Sequence, residues 1–149
     1  MELKNIHDWP RTAAQGTAIQ KRLAPLVVRD GQIESPTLVA GVDMAAGRAG
    51  QPARAAVVVL SYPELEAVAT ETACGELSLP YIPWFFSFRE LPLILSALEK
   101  LRVTPDLFMV DGQGIAHPRR LGLASHLAHR AAAGNPVEAA RAKEAGCRS

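Results

Sequence analysis

Residues 107–120 read LFMVDGQGIAHPRR, and they limit the choice of fold more than any other stretch. Leu107 to Val110 are four consecutive apolar residues, too few for a helix, and they read as a short buried strand. Before them, SFRELPLILSALEKL places apolar residues at 91, 94, 95, 98 and 101, a helical period. After them, PRRLGLASHLAHRAAA reads as a helix opening at Pro118. A buried strand between two helices requires a sheet with helices packed on it. Asp111 follows the strand at once. A carboxylate there loses water on one side, which costs several kcal/mol unless a cation or hydrogen-bond donors compensate. An ordinary Asp-Gly turn is one account of Asp111-Gly112; a functional site is the other.

Upstream, DWPRTAAQGTAIQKRLAPLVV reads as a helix from about Trp9 to about Val27. Asp8 is the expected cap, Pro10 suits the first turn, and Ala18, Ile19, Leu23 and Leu26 recur at helical spacing. TLVAGVDMA, ARAAVVVLSY and ELEAVATETAC are β-like runs bounded by turn residues, and their short connections favour antiparallel neighbours. The order helix, three strands, helix, strand, helix places the chain in the α/β class, a mixed sheet flanked by helices. Residues 1–128 read as that domain. Residues 129–149 are Ala-rich and polar, a tail that is helical or disordered.

The net charge of +1 provides no global field for nucleic acid. From Gly112 onward, however, six Arg or Lys face two acids, which is compatible with local phosphate binding. Cys74 and Cys147 form neither a disulfide framework nor a zinc spacing. The N-terminus lacks the apolar stretch of a signal peptide, and no run approaches the length of a membrane span. A cytoplasmic protein with no membrane partner is the expectation.

Two further acids occupy unusual places. Asp43 sits inside VAGVDMA, where alternation puts Val42 and Met44 on one face and Gly41, Asp43 and Ala45 on the other. Its small neighbours leave open space around the carboxylate. Glu90 ends SFRE, which matches a capping box with Ser87 as N-cap; a ligand role would instead point one oxygen into a cleft. Of eight aromatic residues, five fall between Tyr81 and Phe88, and Pro80 and Pro83 stiffen the backbone around Tyr81-Ile82. Such an elbow packs into a core, or pushes a rigid ring into a base stack. Gly112-Gln113-Gly114 lacks both the third glycine of a dinucleotide fingerprint and the Lys-Ser/Thr of a P-loop. His117, Arg119 and Arg120 follow within reach of anything bound near Asp111, and a phosphate there would also face the expected helix N-terminus. Three acids on separate elements, with aromatic and basic residues nearby, suit phosphodiester hydrolysis by a divalent cation.

Together VAGVDMA, PYIP followed by SFRE, and VDGQGIAHPRRLGLASHL resemble endonuclease V, the deoxyinosine-directed repair nucleases. The resemblance runs from the N-terminal helix to Leu127. It implies a ribonuclease-H-like fold whose first and fourth strands carry Asp43 and Asp111. It also implies a Mg²⁺ site, open to Mn²⁺, formed by Asp43, Glu90 and Asp111. Pro80, Tyr81, Ile82 and Pro83 would form a wedge that parts the strands, and Gly112, Gln113 and Gly114 would line the lesion pocket. His117, Arg119 and Arg120 would belong to the DNA-binding surface. The implied reaction is cleavage of deoxyinosine-containing DNA at the second phosphodiester bond 3′ to the lesion; some relatives prefer inosine in RNA.

Two departures stand out. Trp84 occupies a position where the family commonly has glycine, and the composition after Leu127 abruptly ceases to match. Lys143 lies near where a family lysine falls, but its surroundings differ. The break reads as a frameshifted or truncated frame that leaves part of the sheet uncovered. An inactive remnant, retaining nucleic-acid binding or self-associating through that uncovered core, is the alternative function.

Overall fold

The computed structural model describes all residues except 31, 32, 49 and 132–149. The elements, in order, are α1 (Ala13–Leu23) followed by a short 3-10 turn (Ala24–Leu26), then β1 (Leu38–Ala45), β2 (Ala53–Ser61) and β3 (Ala67–Gly75). They continue with α2 (Phe86–Leu98), β4 (Leu107–Val110) and α3 (Leu123–Ala131). The sheet order is β3-β2-β1-β4, with β1–β2 and β2–β3 antiparallel and β1–β4 parallel. The expected mixed sheet is therefore what forms. The expected tail at 129–149 falls mostly outside the described residues; α3 itself continues to Ala131.

Alternation along the strands decides the core. Ala40 and Val42 of β1, Ala55, Val57 and Val59 of β2, and Phe108 of β4 point to one face. There α2 contributes Leu91, Ile94, Leu95 and Leu98, and α3 contributes Leu123 and Leu127. These residues are the helical positions apparent in the sequence, with Leu101 buried just beyond α2. β4 differs from a strand covered on both sides, because Met109 is 62% exposed. Met109 pairs with exposed Gly41 on the face opposite the core.

The relation of β4 to β1 is fixed at its start. Asp106 Oδ2 accepts hydrogen bonds from the Thr37 backbone N–H and hydroxyl and from the Leu38 N–H, at 2.9–3.0 Å. These donors hold the Asp106 carboxyl below its usual pKa. The Asp106 N–H returns a bond to Leu38 O at 2.9 Å. Both strands are thus pinned where they enter the sheet, which sets the register at the other end.

Three expected helix starts move. α1 begins at Ala13, with the Thr12 hydroxyl accepting from Gln15 N–H; Asp8 is not its cap and Pro10 lies before it. Its buried face is Gly16, Gln20 and Leu23 rather than Ala18, Ile19 and Leu26. A Cβ on Gly16 would overlap the Phe85 ring, so glycine is what lets the aromatic elbow dock on α1. α2 begins at Phe86, and no side chain caps it. The Ser87–Glu90 capping box does not form, because burial of Phe85 and Phe88 pulls the chain into the helix one residue before Ser87. α3 opens at Leu123, not Pro118. Residues 118–122 fold back as a turn, in which Gly122 N–H reaches Gly114 O at 3.0 Å and Ala124 N–H reaches Gln113 O at 3.1 Å. A Cβ on Gly122 would collide with the Gln113 carbonyl.

Candidate active site

Parallel pairing in register places Val42 opposite Val110. Asp43 and Asp111, each the next residue, therefore lie side by side on adjacent strands, Asp43 still within β1 and Asp111 just past the end of β4. The carboxyl ends of parallel strands are where open α/β sheets bind ligands. A pocket of about 450 Å³ opens at this point, and its lining includes Asp43, Glu90, Asp111, Ser87, Trp84 and His117 together with Gly112 and Gln113. Asp43 and Asp111 are exposed to it, and Glu90 is partly buried on α2. Asp43 Oδ1 accepts the Met44 N–H at 2.7 Å.

The surroundings of Glu90 disfavour its charged form. Glu90 is held above its ordinary pKa by loss of water, which outweighs the opposing pull of the Arg89 guanidinium; the charges of Asp43 and Asp111 add lesser upward pushes. Ser87 Oγ, on the same wall, is buried with no hydrogen-bond partner. Among the described residues, no three acid, His or Cys side chains converge tightly enough to enclose an ion as they stand. The acids share a pocket, not a preformed cage. The donor set nonetheless fits a hard divalent cation: three carboxylates from separate elements, one of them destabilised chiefly by burial.

The segment expected to act as a wedge, residues 80–83, lies two residues before α2. Tyr81 is 60% exposed, and its ring meets Phe86 edge-on at 5.2 Å. Pro80 and Pro83 are exposed and Ile82 is half-buried, with its carbonyl accepting the Phe85 N–H at 3.1 Å. Trp84 has φ +70°, a left-handed backbone that suits glycine and strains an indole-bearing residue. Its ring stands edge-on to His117 at 5.9 Å and forms part of the pocket wall.

The loop after β4 distributes its residues unequally. Gly112 and Gln113 line the pocket, whereas Gly114 is buried against Ser125. His117 is 4% exposed. Its Nε2–H donates to Trp84 O at 2.9 Å, and its Nδ1 accepts the Arg119 N–H at 3.0 Å. That pattern fixes a neutral ring, and burial pushes its pKa down. Arg119 and Arg120 do not line the pocket. The Arg119 guanidinium donates to Gln20 Oε1 at 3.2 Å and lies 5.4 Å over the Phe85 ring. Arg120, exposed and at φ +59°, donates to Ile115 O at 3.2 Å. A helix N-terminus is not open to ligand as expected, since the Gln113 carbonyl occupies the Ala124 N–H.

A sequence model of the endonuclease V family matches residues 21–133. The chain belongs to the endonuclease V family. It is 48% identical to endonuclease V of Nostoc punctiforme and 50% to that of Trichormus variabilis, over 128 residues in each case, 85% of this chain. It spans 58% of the length of each of these relatives. Endonuclease V of Bacillus subtilis superposes with a TM-score of 0.81 at 30% identity, covering 88% of this chain and 57% of that one. The Ciona intestinalis enzyme, solved in complex with a 23mer DNA containing an inosine followed by a ribo-adenosine, gives 0.70 at 32% identity. That match covers 76% of this chain and 51% of the other.

Sequence reasoning missed Gly16 and Gln20. A glycine and a glutamine spaced four apart inside a helix were a weak signal that this face meets something other than an aliphatic core.

Proposed function

We propose that the chain is a metal-dependent endonuclease acting on deoxyinosine-containing DNA, cutting the second phosphodiester bond 3′ to the lesion. The observation that carries this reading is the convergence of Asp43, Glu90 and Asp111 on one pocket beside an exposed aromatic elbow. Family membership supports it, as does the Ciona relative bound to inosine-containing DNA.

Asp43, Glu90 and Asp111 would hold Mg²⁺, or Mn²⁺ in its place. When bound, the ion supplies an activated water and neutralises charge on the leaving oxygen. The remaining work belongs to the chain's own groups. Tyr81 enters the stack beside the lesion, its backbone held by Pro80 and Pro83. Gly112 and Gln113 give a flipped hypoxanthine access to main-chain atoms. The Trp84 indole offers a stacking surface and narrows the entrance. His117 keeps the Trp84 carbonyl and the Arg119 N–H in place instead of meeting DNA, and Arg120, exposed on the same loop, offers a cation to a phosphate.

A second reading, a non-catalytic DNA binder, rests on the acids not enclosing an ion as they stand. Incubating the protein with Mg²⁺ and a duplex carrying one deoxyinosine separates the two. Nicking supports the nuclease. Salt-sensitive binding without nicking supports the binder.

A further inference from the structure

Gln20 lies on α1, does not line the pocket, and is 0% exposed. A buried amide is costly unless both of its ends are partnered, and here they are. Nε2 donates to Trp84 O at 2.8 Å, and Oε1 accepts from Arg119 Nη1 at 3.2 Å. The same Trp84 carbonyl also takes the His117 Nε2–H at 2.9 Å. Two donors from different elements therefore fix one peptide plane, the one that follows the wedge segment and carries a residue at φ +70°. A strained conformation persists only where its surroundings over-determine it. One turn before Gln20, Gly16 admits the Phe85 ring, over which the Arg119 guanidinium lies at 5.4 Å. On α1, Gln20 thus bonds both to the carbonyl just after the wedge segment and to the loop after β4.

We propose that Gln20 is a positioning residue that locks the Trp84 carbonyl, and with it the wedge segment, to the loop carrying His117 and Arg119. Its consequence for lesion recognition rests on the nuclease reading above; the lock itself does not. Gln20 touches no reacting group. It sets the distance and angle at which Tyr81 and the Trp84 indole meet the DNA.

The test uses two substitutions in a Trp9→Phe background, which leaves Trp84 as the sole indole of the two in the chain. Gln20→Glu keeps size and the acceptor for Arg119 but puts a carboxylate oxygen where the donor to Trp84 O was. Gln20→Met removes both bonds. Acrylamide quenching of Trp84 fluorescence is measured on protein whose circular dichroism matches the parent. Binding to deoxyinosine and undamaged duplexes is then compared with Ca²⁺ in place of Mg²⁺. The expected result is stronger quenching in both variants and a loss of deoxyinosine preference of about tenfold, the value of one hydrogen bond. Affinity for undamaged duplex stays unchanged. Gln20→Glu alone decides if Gln20→Met does not fold. Unchanged quenching in a folded variant overturns the lock. Raised quenching with unchanged preference overturns the positioning role. A parent protein with no preference contradicts the nuclease reading, while the quenching still decides the lock.

Discussion

Asp43 and Asp111 are each the residue after a paired position, Val42 opposite Val110, on neighbouring parallel strands. Strands in a sheet lie about 4.8 Å apart, so the two carboxylates emerge together without any loop having to bring them. This relationship is set at the far end of the strands by Asp106 and its three donors from Thr37 and Leu38. Adjacent like charges are costly unless a cation is shared. Asp43→Asn keeps the size of the side chain and removes its charge. It should reduce Mg²⁺-dependent cleavage at least about 100-fold, since losing a ligand forfeits several kcal/mol of charge stabilisation in the transition state. Single-turnover nicking checks this, and activity within a few-fold of the parent excludes Asp43 from the site.

Glu90 pulls stability and function in opposite directions. Its pKa is raised in the folded protein, so between the unfolded value and the higher folded one the native state binds more protons. Stability therefore falls as pH rises through that window and stays lower above it. Glu90→Gln should raise the thermal stability of metal-free protein at neutral pH, by roughly 0.5–1 kcal/mol. The same variant should lose the stabilisation that added Mg²⁺ gives the parent. Thermal unfolding with EDTA and with Mg²⁺ reads both effects, and a destabilised metal-free variant would place Glu90 in a supporting ion pair instead.

The histidines define an acid limit. His126 is fully buried, with its Nε2 2.7 Å from His7 Nε2. Burial, then His7, Arg130 and His129, hold its pKa well below 6.5. His7, facing Arg130, Arg22 and Asp8, is lowered too, and so are His117 and His129. Below about pH 6.5 the unfolded chain takes up protons that the native state refuses. Stability is thus full above that value and is lost as pH falls, by about 1.4 kcal/mol per pH unit for each proton of difference. Urea unfolding between pH 7.5 and 5 should show this slope, and His126→Leu should flatten it. An unchanged slope in that variant would assign the acid sensitivity elsewhere.

Trp84 should invert a familiar ranking. Glycine usually destabilises by about 0.5–1 kcal/mol relative to alanine. At φ +70° a Cβ costs roughly 1–2 kcal/mol, which glycine avoids. Trp84→Gly should therefore be more stable than Trp84→Ala, as differential melting would show. The reverse order would mean that the left-handed backbone is absent in solution.

Much of this molecule was legible in its sequence. The strands and the α2 core positions follow from periodicity, because burial on one face leaves a direct imprint on spacing, and the antiparallel order of the first three strands follows from their short connections. Asp111 stood out at the end of an apolar strand and Asp43 inside one, whereas Glu90 also read as a cap. Helix starts were less legible. Ser87 matched a cap, yet burying Phe85 and Phe88 outweighed a bond worth about 1 kcal/mol. Pro118 looked like a helix start, yet the return of Gly122 to the Gln113–Gly114 backbone made a turn of residues 118–122. Gln20 was invisible because its partners, the Trp84 carbonyl and the Arg119 guanidinium, lie 64 and 99 residues away.

Tyr81 is exposed and rests on Phe86 alone among its aromatic neighbours. Tyr81→Ala should leave stability within about 0.5 kcal/mol, as expected for an exposed side chain. It should weaken deoxyinosine-duplex binding by about 1–3 kcal/mol, the range for losing one aromatic–base stack. Equal losses on a single-stranded deoxyinosine oligonucleotide would assign Tyr81 to base contact instead of strand separation.

The most direct measurement is nicking of an end-labelled duplex carrying a single deoxyinosine, by purified protein with Mg²⁺ and again with EDTA. The account predicts a cut at the second phosphodiester bond 3′ to the lesion, dependent on Mg²⁺ and absent in Asp43→Asn. Folded, DNA-binding protein that leaves the duplex intact in Mg²⁺, or cleavage that persists in EDTA, would contradict it.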